Sequence, residues 1–262
     1  NVPFTLAPSI QANDKIEFQI TLSNDDGYVM YQTNIIKSYN PTILFDDDAD
    51  TNGLANWNNG GGTWNVTTDA YSGSTAITDS PSGSYSNNTI QTLTLSNAAA
   101  VDLTTSETAV VQFYAKWDLE RNFDFVQFQA STDGSNWVEL CGKYTKPGSY
   151  YLTTRYSSGN SSDTGPGKNT SDLNHQPDGE AIYDGNTQDK WVMEEFVIDA
   201  SNNAFLLGEG NVQFRFVLGS DSSNRADGYS TTFDGFTFDD FKVIDIKLPC
   251  ETTVPTNLAA SS

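Results

Sequence analysis

A chain of 262 residues with 34 acidic and 13 basic side chains, one histidine and a formal net charge of -21 is long enough for one large β domain with pieces of neighbours at its ends. That charge repels phosphate backbones and anionic lipid, which argues against nucleic acid as a partner. No apolar run approaches the roughly 20 residues of a membrane-crossing helix, which argues against insertion. The acid is mostly Asp, 25 against 9 Glu, the carboxylate that suits turns and oxygen-ligand cages.

In chain order, "KIEFQITL" and "YVMYQTNII" open the sequence with strand patterning, including Ile16, Phe18, Ile20 and Leu22 on one face, until Pro41 interrupts it. Residues 1–40 are read as the last strands of a preceding Ig-like β domain or as a linker. From 41 to 248 period-two alternation dominates, as in Val111, Phe113, Ala115 and Trp117, in Val126, Phe128 and Ala130, and in Val212, Phe214, Phe216 and Leu218. The Asp133-Gly134 step predicts a hairpin joining strands near 124–131 and 136–141. Residues 146–190 are poor in apolar side chains and are read as a long loop excursion with at most short strands. After Leu248 alternation stops, and 249–262 reads as a linker towards a fibronectin type III module. About ten short strands with polar turns and no sustained helical period predict an all-β fold, an antiparallel β-sandwich with jelly-roll topology. Ser, Thr, Asn and Gly abundance and the lack of an opening signal peptide read as a processed or internal piece of a secreted bacterial protein.

The run "FDDDADTNGLANW" raises the question of a cation. From Asp48, D-A-D-T-N-G places oxygen side chains at alternate positions ahead of a glycine, as a calcium loop begins. Its twelfth position is Asn59, where an EF-hand needs Glu, so a calcium loop of another kind stays open beside a solvated acidic turn. In "FDGFTFDDFKVIDI", Asp239 and Asp240 interrupt an apolar strand, and without a bulge one of them must point inward. Asp124 shares the parity of Val126 and Phe128, with Glu120 just before it. Buried carboxylates need partners, and 13 basic residues supply few. The expectation is a structural calcium clamping the first strand of the sandwich to the last through Asp46, Asp47, Asp48 and Asp50 with Asp239 or Asp240. Glu120 and Asp124 either complete it or form a separate cluster. The alternative is Asp residues satisfied by hydrogen bonds in turns, with no metal.

Six separated segments, "LFDDDADTNGLANW" with Trp64 and "YSGSTAITDSPSGSY" after it, "VQFYAKWDLERNFDFVQFQASTDGSNWVEL", "AIYDGNTQDKWVMEEFVID", "VQFRFVLGSDSSNRADGY" and "DGFTFDDFKV", occur in an order that resembles the MAM-like jelly-roll accessory domain of secreted bacterial metallopeptidases. That domain accompanies immune inhibitor A-type peptidases and zinc carboxypeptidases. The resemblance spans about residues 42–246 and implies a β-sandwich that often carries calcium between its terminal strands. It also implies that peptidase activity belongs to a domain outside this chain. The Asp227-Gly228 step and the enlarged 146–190 loop depart from the pattern, so binding properties are not carried over there.

The chain's own residues argue against catalysis. His175 is the single histidine, no H-E-x-x-H or G-x-S-x-G occurs, and Glu194 and Glu195 are adjacent in a strand and so face opposite ways. Cys141 and Cys250 either pair with each other or Cys250 pairs beyond Ser262. Tyr150, Tyr151 and Tyr156 in the long loop are the candidate contacts to a sugar or protein, whereas Trp117, Trp137 and Trp191 have strand patterning and read as core. The function expected is a calcium-stabilised, non-catalytic accessory domain of a secreted zinc carboxypeptidase. It would position the enzyme beside Ig-like and fibronectin-like neighbours or bind a protein or glycan surface. The alternatives are a carbohydrate-binding module and, further off, a β-sandwich glycoside hydrolase using Glu120 and Asp124.

Overall fold

The computed structural model describes residues 4–12, 14–27, 29–38, 40–148, 176–221 and 234–246. Strands β1 (Lys15–Ser23) and β2 (Val29–Ser38) pair antiparallel in a sheet of their own, with Ile20 and Leu22 of β1 exposed. There follow β3 (Thr42–Asp47), β4 (Trp57–Asn58), β5 (Asn65–Thr67), β6 (Ala76–Thr78), β7 (Thr89–Leu95), β8 (Ala109–Asp118) and β9 (Phe125–Ser131). The chain continues through β10 (Val138–Glu139), β11 (Lys146–Pro147), β12 (Ala181–Ile182), β13 (Val192–Ile198), β14 (Gln213–Ser220) and β15 (Gly235–Asp245). Two antiparallel sheets result, a five-stranded one in the order β10-β9-β14-β7-β4 and a six-stranded one in which β13-β8-β15-β6-β5 is joined by β3 at β15; β11 and β12 form a separate pair. The expected β-sandwich is present, and the Asp133-Gly134 hairpin joins β9 to β10 with Gly134 at φ +70°.

The sheets face each other through the alternating residues that the sequence marks as apolar. Phe216 on β14 stacks against Phe238 on β15 at 4.4 Å between ring centroids, and Phe128 on β9 meets Phe196 on β13 at 4.7 Å. Trp57, Trp64, Phe113 and Phe241 close the same cluster. Each fully buried ring of this kind contributes about 1.5–3 kcal/mol by burial and ~1 kcal/mol more through edge or offset contacts.

β15 is the organising strand. It pairs with β8 along one side; on the other it pairs with β6 at Thr237 and Phe238, then with β3 from Phe241 to Asp245. The changeover coincides with a bulge: Asp239 stands opposite Tyr114 and Lys242 opposite Gln112, so three steps on β15 match two on β8. Asp240 takes up the extra residue at φ +53°. The bulge lets Phe238 and Phe241, three apart, both face the core. It also removes the need, inferred from continuous alternation, for one of the two Asp side chains to enter it.

Candidate functional site

The acidic run closes a turn. Asp47 is buried at the end of β3, where Oδ1 accepts the Ala49 N–H (3.0 Å) and Oδ2 accepts Asn56 Nδ2 (3.0 Å) and Trp57 Nε1 (2.9 Å). Asp48 Oδ1 accepts the N–H groups of Asp50 and Thr51. Asp50 reaches across to the loop between β5 and β6, accepting from the Ser74 N–H (2.9 Å) and from the Ser74 and Thr75 hydroxyls (2.8 Å each). The Thr75 hydroxyl, then the Ser74 N–H, hold its carboxyl below the usual range. Asp239 lies opposite Tyr114 yet is buried, because the same loop covers it: Oδ2 accepts the N–H groups of Tyr71 (2.9 Å) and Ser72 (3.0 Å), and Oδ1 that of Asp240 (2.7 Å). Asp46 and Asp240 both turn to Lys242 Nζ, at 3.6 and 3.8 Å. β3 and β15 are therefore neighbours, held by their ladder and by carboxylates that protein donors engage.

Glu120 and Asp124 belong to a different place. Asp118 pairs with Gly235, whereas Gln112 pairs with Lys242; six residues of strand put these levels about 20 Å apart. Beyond Asp118 the β8–β9 turn brings Glu120 and Asp124 together with Asp221, which follows β14, and these three buried carboxylates have oxygens within 4.8 Å of one another. Tyr85 ties the group together by donating its hydroxyl to Asp124 Oδ2 (2.6 Å) and accepting the Glu120 N–H (2.9 Å). The Asp221 N–H donates to Asp124 Oδ1 (2.8 Å). Burial, then the Asp124 charge, pushes the Tyr85 phenol well up. Three hard oxygen donors without nitrogen or sulfur suit calcium in kind. Asp221 escaped the sequence reading because nothing local marks it; its hydrogen-bond partner Asp124 lies 97 residues away.

A third arrangement lies on the outer face of the six-stranded sheet. Register places Lys116 opposite Thr237 and Thr237 opposite Thr78, so one polar row crosses β8, β15 and β6 on the side away from the core. Above it a groove of about 300 Å³ is walled by Thr67 and Asp69 on one side and by the 186–189 turn on the other. Lys116 Nζ bridges the walls, bonding Asp69 Oδ2 at 2.6 Å and Asp189 Oδ1. Burial works against its charge, but the bonds to Asp189 and Asp69 outweigh it and raise its pKa. Beside the groove Tyr71, 43% exposed, stacks flat on Tyr114 with centroids 3.5 Å apart and rings 12° from parallel. Trp191 completes the group, 6.0 Å from Tyr71 and with Lys116 Nζ 5.4 Å from its centroid. The Tyr71 hydrogen bond, then burial, pushes the Tyr114 phenol up to about 12. The Asp239 carboxylate fixes the backbone that carries Tyr71, so the aromatic is anchored.

Trp117 is buried as its pattern suggests, but Trp137 and Trp191 are only half-buried. Each stands one residue ahead of its strand, before Val138 and Val192, where the ladder no longer dictates which face a side chain takes. Glu194 and Glu195 do diverge: Glu194 is buried and accepts from Lys143 N–H, Tyr144 N–H and the Tyr183 hydroxyl, while Glu195 accepts from Gln112. Tyr150, Tyr151, Tyr156, His175 and Cys250 lie outside the described residues.

No protein-family model and no curated protein matches the sequence. Among solved structures, the chain is similar to a family 61 carbohydrate-binding module in complex with β-1,4-galactotriose at a TM-score of 0.38 and 11% identity, over 76% of this chain and 94% of that one. It is similar to the tandem family 22 carbohydrate-binding modules of Paenibacillus barcinonensis Xyn10C at 0.39 and 13% identity, over 82% of this chain and 48% of that one. A cleaved adhesin domain of Lys-gingipain is similar at 0.37 and 11% identity, over 76% and 98%.

Proposed function

We propose that this chain is a non-catalytic carbohydrate-binding β-sandwich, with the groove on the six-stranded sheet as its sugar site. The observation that carries the reading is the exposed, anchored Tyr71 stacked on half-buried Tyr114, with Trp191, beside a polar groove on the six-stranded sheet. A pyranose presents an apolar C–H face and a rim of hydroxyls. The aromatic rings offer the first a surface, and Lys116, Asp69 and Asp189 offer donors and acceptors to the second. Glu120 and Asp124, the pair considered for hydrolysis, are 2% and 0% exposed, out of reach of a sugar ring.

Calcium at Glu120, Asp124 and Asp221 belongs to the same proposal. It rests on the sequence resemblance, and these three carboxylates, with oxygens within 4.8 Å of one another, are ligands of the kind calcium takes. The extracellular setting, and a place beside a zinc carboxypeptidase domain in a longer protein, rest on composition and on the sequence resemblance.

The test is a glycan microarray probed with the wild-type chain and with Tyr71→Ala and Trp191→Ala. The reading expects a restricted set of bound glycans and at least a tenfold loss in either variant, the equivalent of ~1.4 kcal/mol. Silence of the wild type across the array, or variants that bind as it does, defeats the reading.

A further inference from the structure

The five-stranded sheet carries a second polar row, on the opposite outer face. Glu139 on β10 stands opposite Gln129 on β9, Gln129 opposite Arg215 on β14, Arg215 opposite Thr94 on β7, and Thr94 opposite Asn58 on β4. Directly opposed residues project to the same side, and the alternating neighbours Trp57, Leu95, Phe214, Phe216, Phe128 and Ala130 are all core. The row therefore crosses all five strands in the outer surface, one side chain every ~4.8 Å over about 19 Å.

At its centre is a cation in an unusual state. The chain has 34 acidic residues against 13 basic ones, yet among the described residues no carboxylate pairs with Arg215. Its Nε donates to Gln129 Oε1 (2.6 Å), and its guanidinium lies over the Trp137 ring, 4.3 Å from the centroid. Half-burial lowers its pKa. A guanidinium has donors beyond Nε, and among the described residues its Nη groups meet no acceptor. The pose is fixed from behind: Gln129 Nε2 donates to Gln127 Oε1 (3.0 Å), and Gln127 Nε2 to Glu180 Oε2 (2.9 Å). A partly desolvated, oriented fork of donors calls for paired acceptor oxygens.

We infer that this row is a second carbohydrate subsite, taking an uncharged oligosaccharide laid across the strands with vicinal hydroxyl oxygens on the Arg215 Nη groups. The inference rests on the carbohydrate reading above. The row balances one cation with one carboxylate and adds two amides and a hydroxyl, a mixture of donors and acceptors that matches hydroxyl groups. The net charge of -21 opposes a polyanionic chain. With sites on both outer faces, one module holds two glycan segments and cross-links them.

Native affinity electrophoresis tests this, in gels containing galactan, xylan, mixed-linkage β-glucan or galactomannan, with polygalacturonate as the anionic probe and each protein referenced to a polysaccharide-free gel. In a gel that retards the wild type, Arg215→Ala and Arg215→Lys are each expected to weaken retardation at least threefold. Tyr71→Ala should retain the Arg215-dependent part, and the Tyr71→Ala/Arg215→Ala double variant should run unretarded. Arg215→Lys keeps the charge but not the fork, so it decides the matter if the alanine variant fails to fold. Wild-type retardation in both Arg215 variants overturns the second site and leaves the groove standing. No retardation by any polysaccharide overturns both readings. Retardation by polygalacturonate alone, lost in Arg215→Lys, overturns the uncharged ligand class.

Discussion

Asp79 offers a prediction whose sign and size follow from its surroundings. It is fully buried just after β6, and Oδ1 accepts the Phe236 N–H at 2.6 Å. Among the described residues its Oδ2 has no hydrogen-bond partner. Burial pushes the carboxyl up to about 7, against the pull of the Phe236 N–H, whereas in the unfolded chain it titrates near ~3.9. The folded state thus holds its proton more tightly than the unfolded one. Stability from this group is complete below about pH 4, declines as pH rises through the interval and is lost above about 7. At ~1.4 kcal/mol per pH unit the ceiling is about 4 kcal/mol, and local relaxation brings the expectation to about 2–4 kcal/mol. Asp79→Asn keeps the Oδ1 acceptor and removes the titration, at the cost of a buried amide worth ~1–3 kcal/mol where its N–H groups lack acceptors. Urea unfolding at pH 4.5, 6 and 8 should therefore show the variant less stable at pH 4.5, with the gap closing or reversing by pH 8. Other titrating groups are common to both proteins and cancel in the difference. Parallel stability curves across that range would refute the argument.

Three further outcomes are expected. Gly73 sits at φ +61° with Asp50 Oδ2 where a Cβ would be, so Gly73→Ala should lower stability by about 1–3 kcal/mol in urea unfolding through strain and loss of the Asp50 bonds. Asp47→Ala orphans Trp57 Nε1 and Asn56 Nδ2 and should cost about 2–4 kcal/mol in the same assay. In thermal melts of metal-stripped protein, calcium but not magnesium should raise the midpoint, by the equivalent of ~2.7 kcal/mol at a hundred times Kd. Glu120→Gln and Asp221→Asn should abolish that rise while Asp48→Ala keeps it.

Strands were legible where one face is buried: Phe113 and Ala115 on β8, Phe128 and Ala130 on β9, and Phe214 and Phe216 on β14 point inward as their alternation requires. The bulge was not, although Phe238 and Phe241 carry a signal for it, since two rings three apart in one strand reach the same core only with an extra residue between them. The acidic run showed its chemistry but not its partners. Asp47 takes the indole N–H of Trp57 ten residues on, a partner that no local pattern in the run marks. The groove was hidden for another reason. Tyr71, Tyr114, Lys116 and Trp191 come from three separate stretches, and only the pairing of β8 with β13 and the anchoring of the 70s loop on Asp239 bring them together.

Sugar binding at Tyr71 and Trp191 can be read in solution. Calorimetric titration of the strongest array-selected oligosaccharide into wild type and Tyr71→Ala, at matched thermal midpoints, tests it most directly. Saturable binding that weakens at least tenfold in the variant is expected. Equal affinities in the two proteins would contradict it.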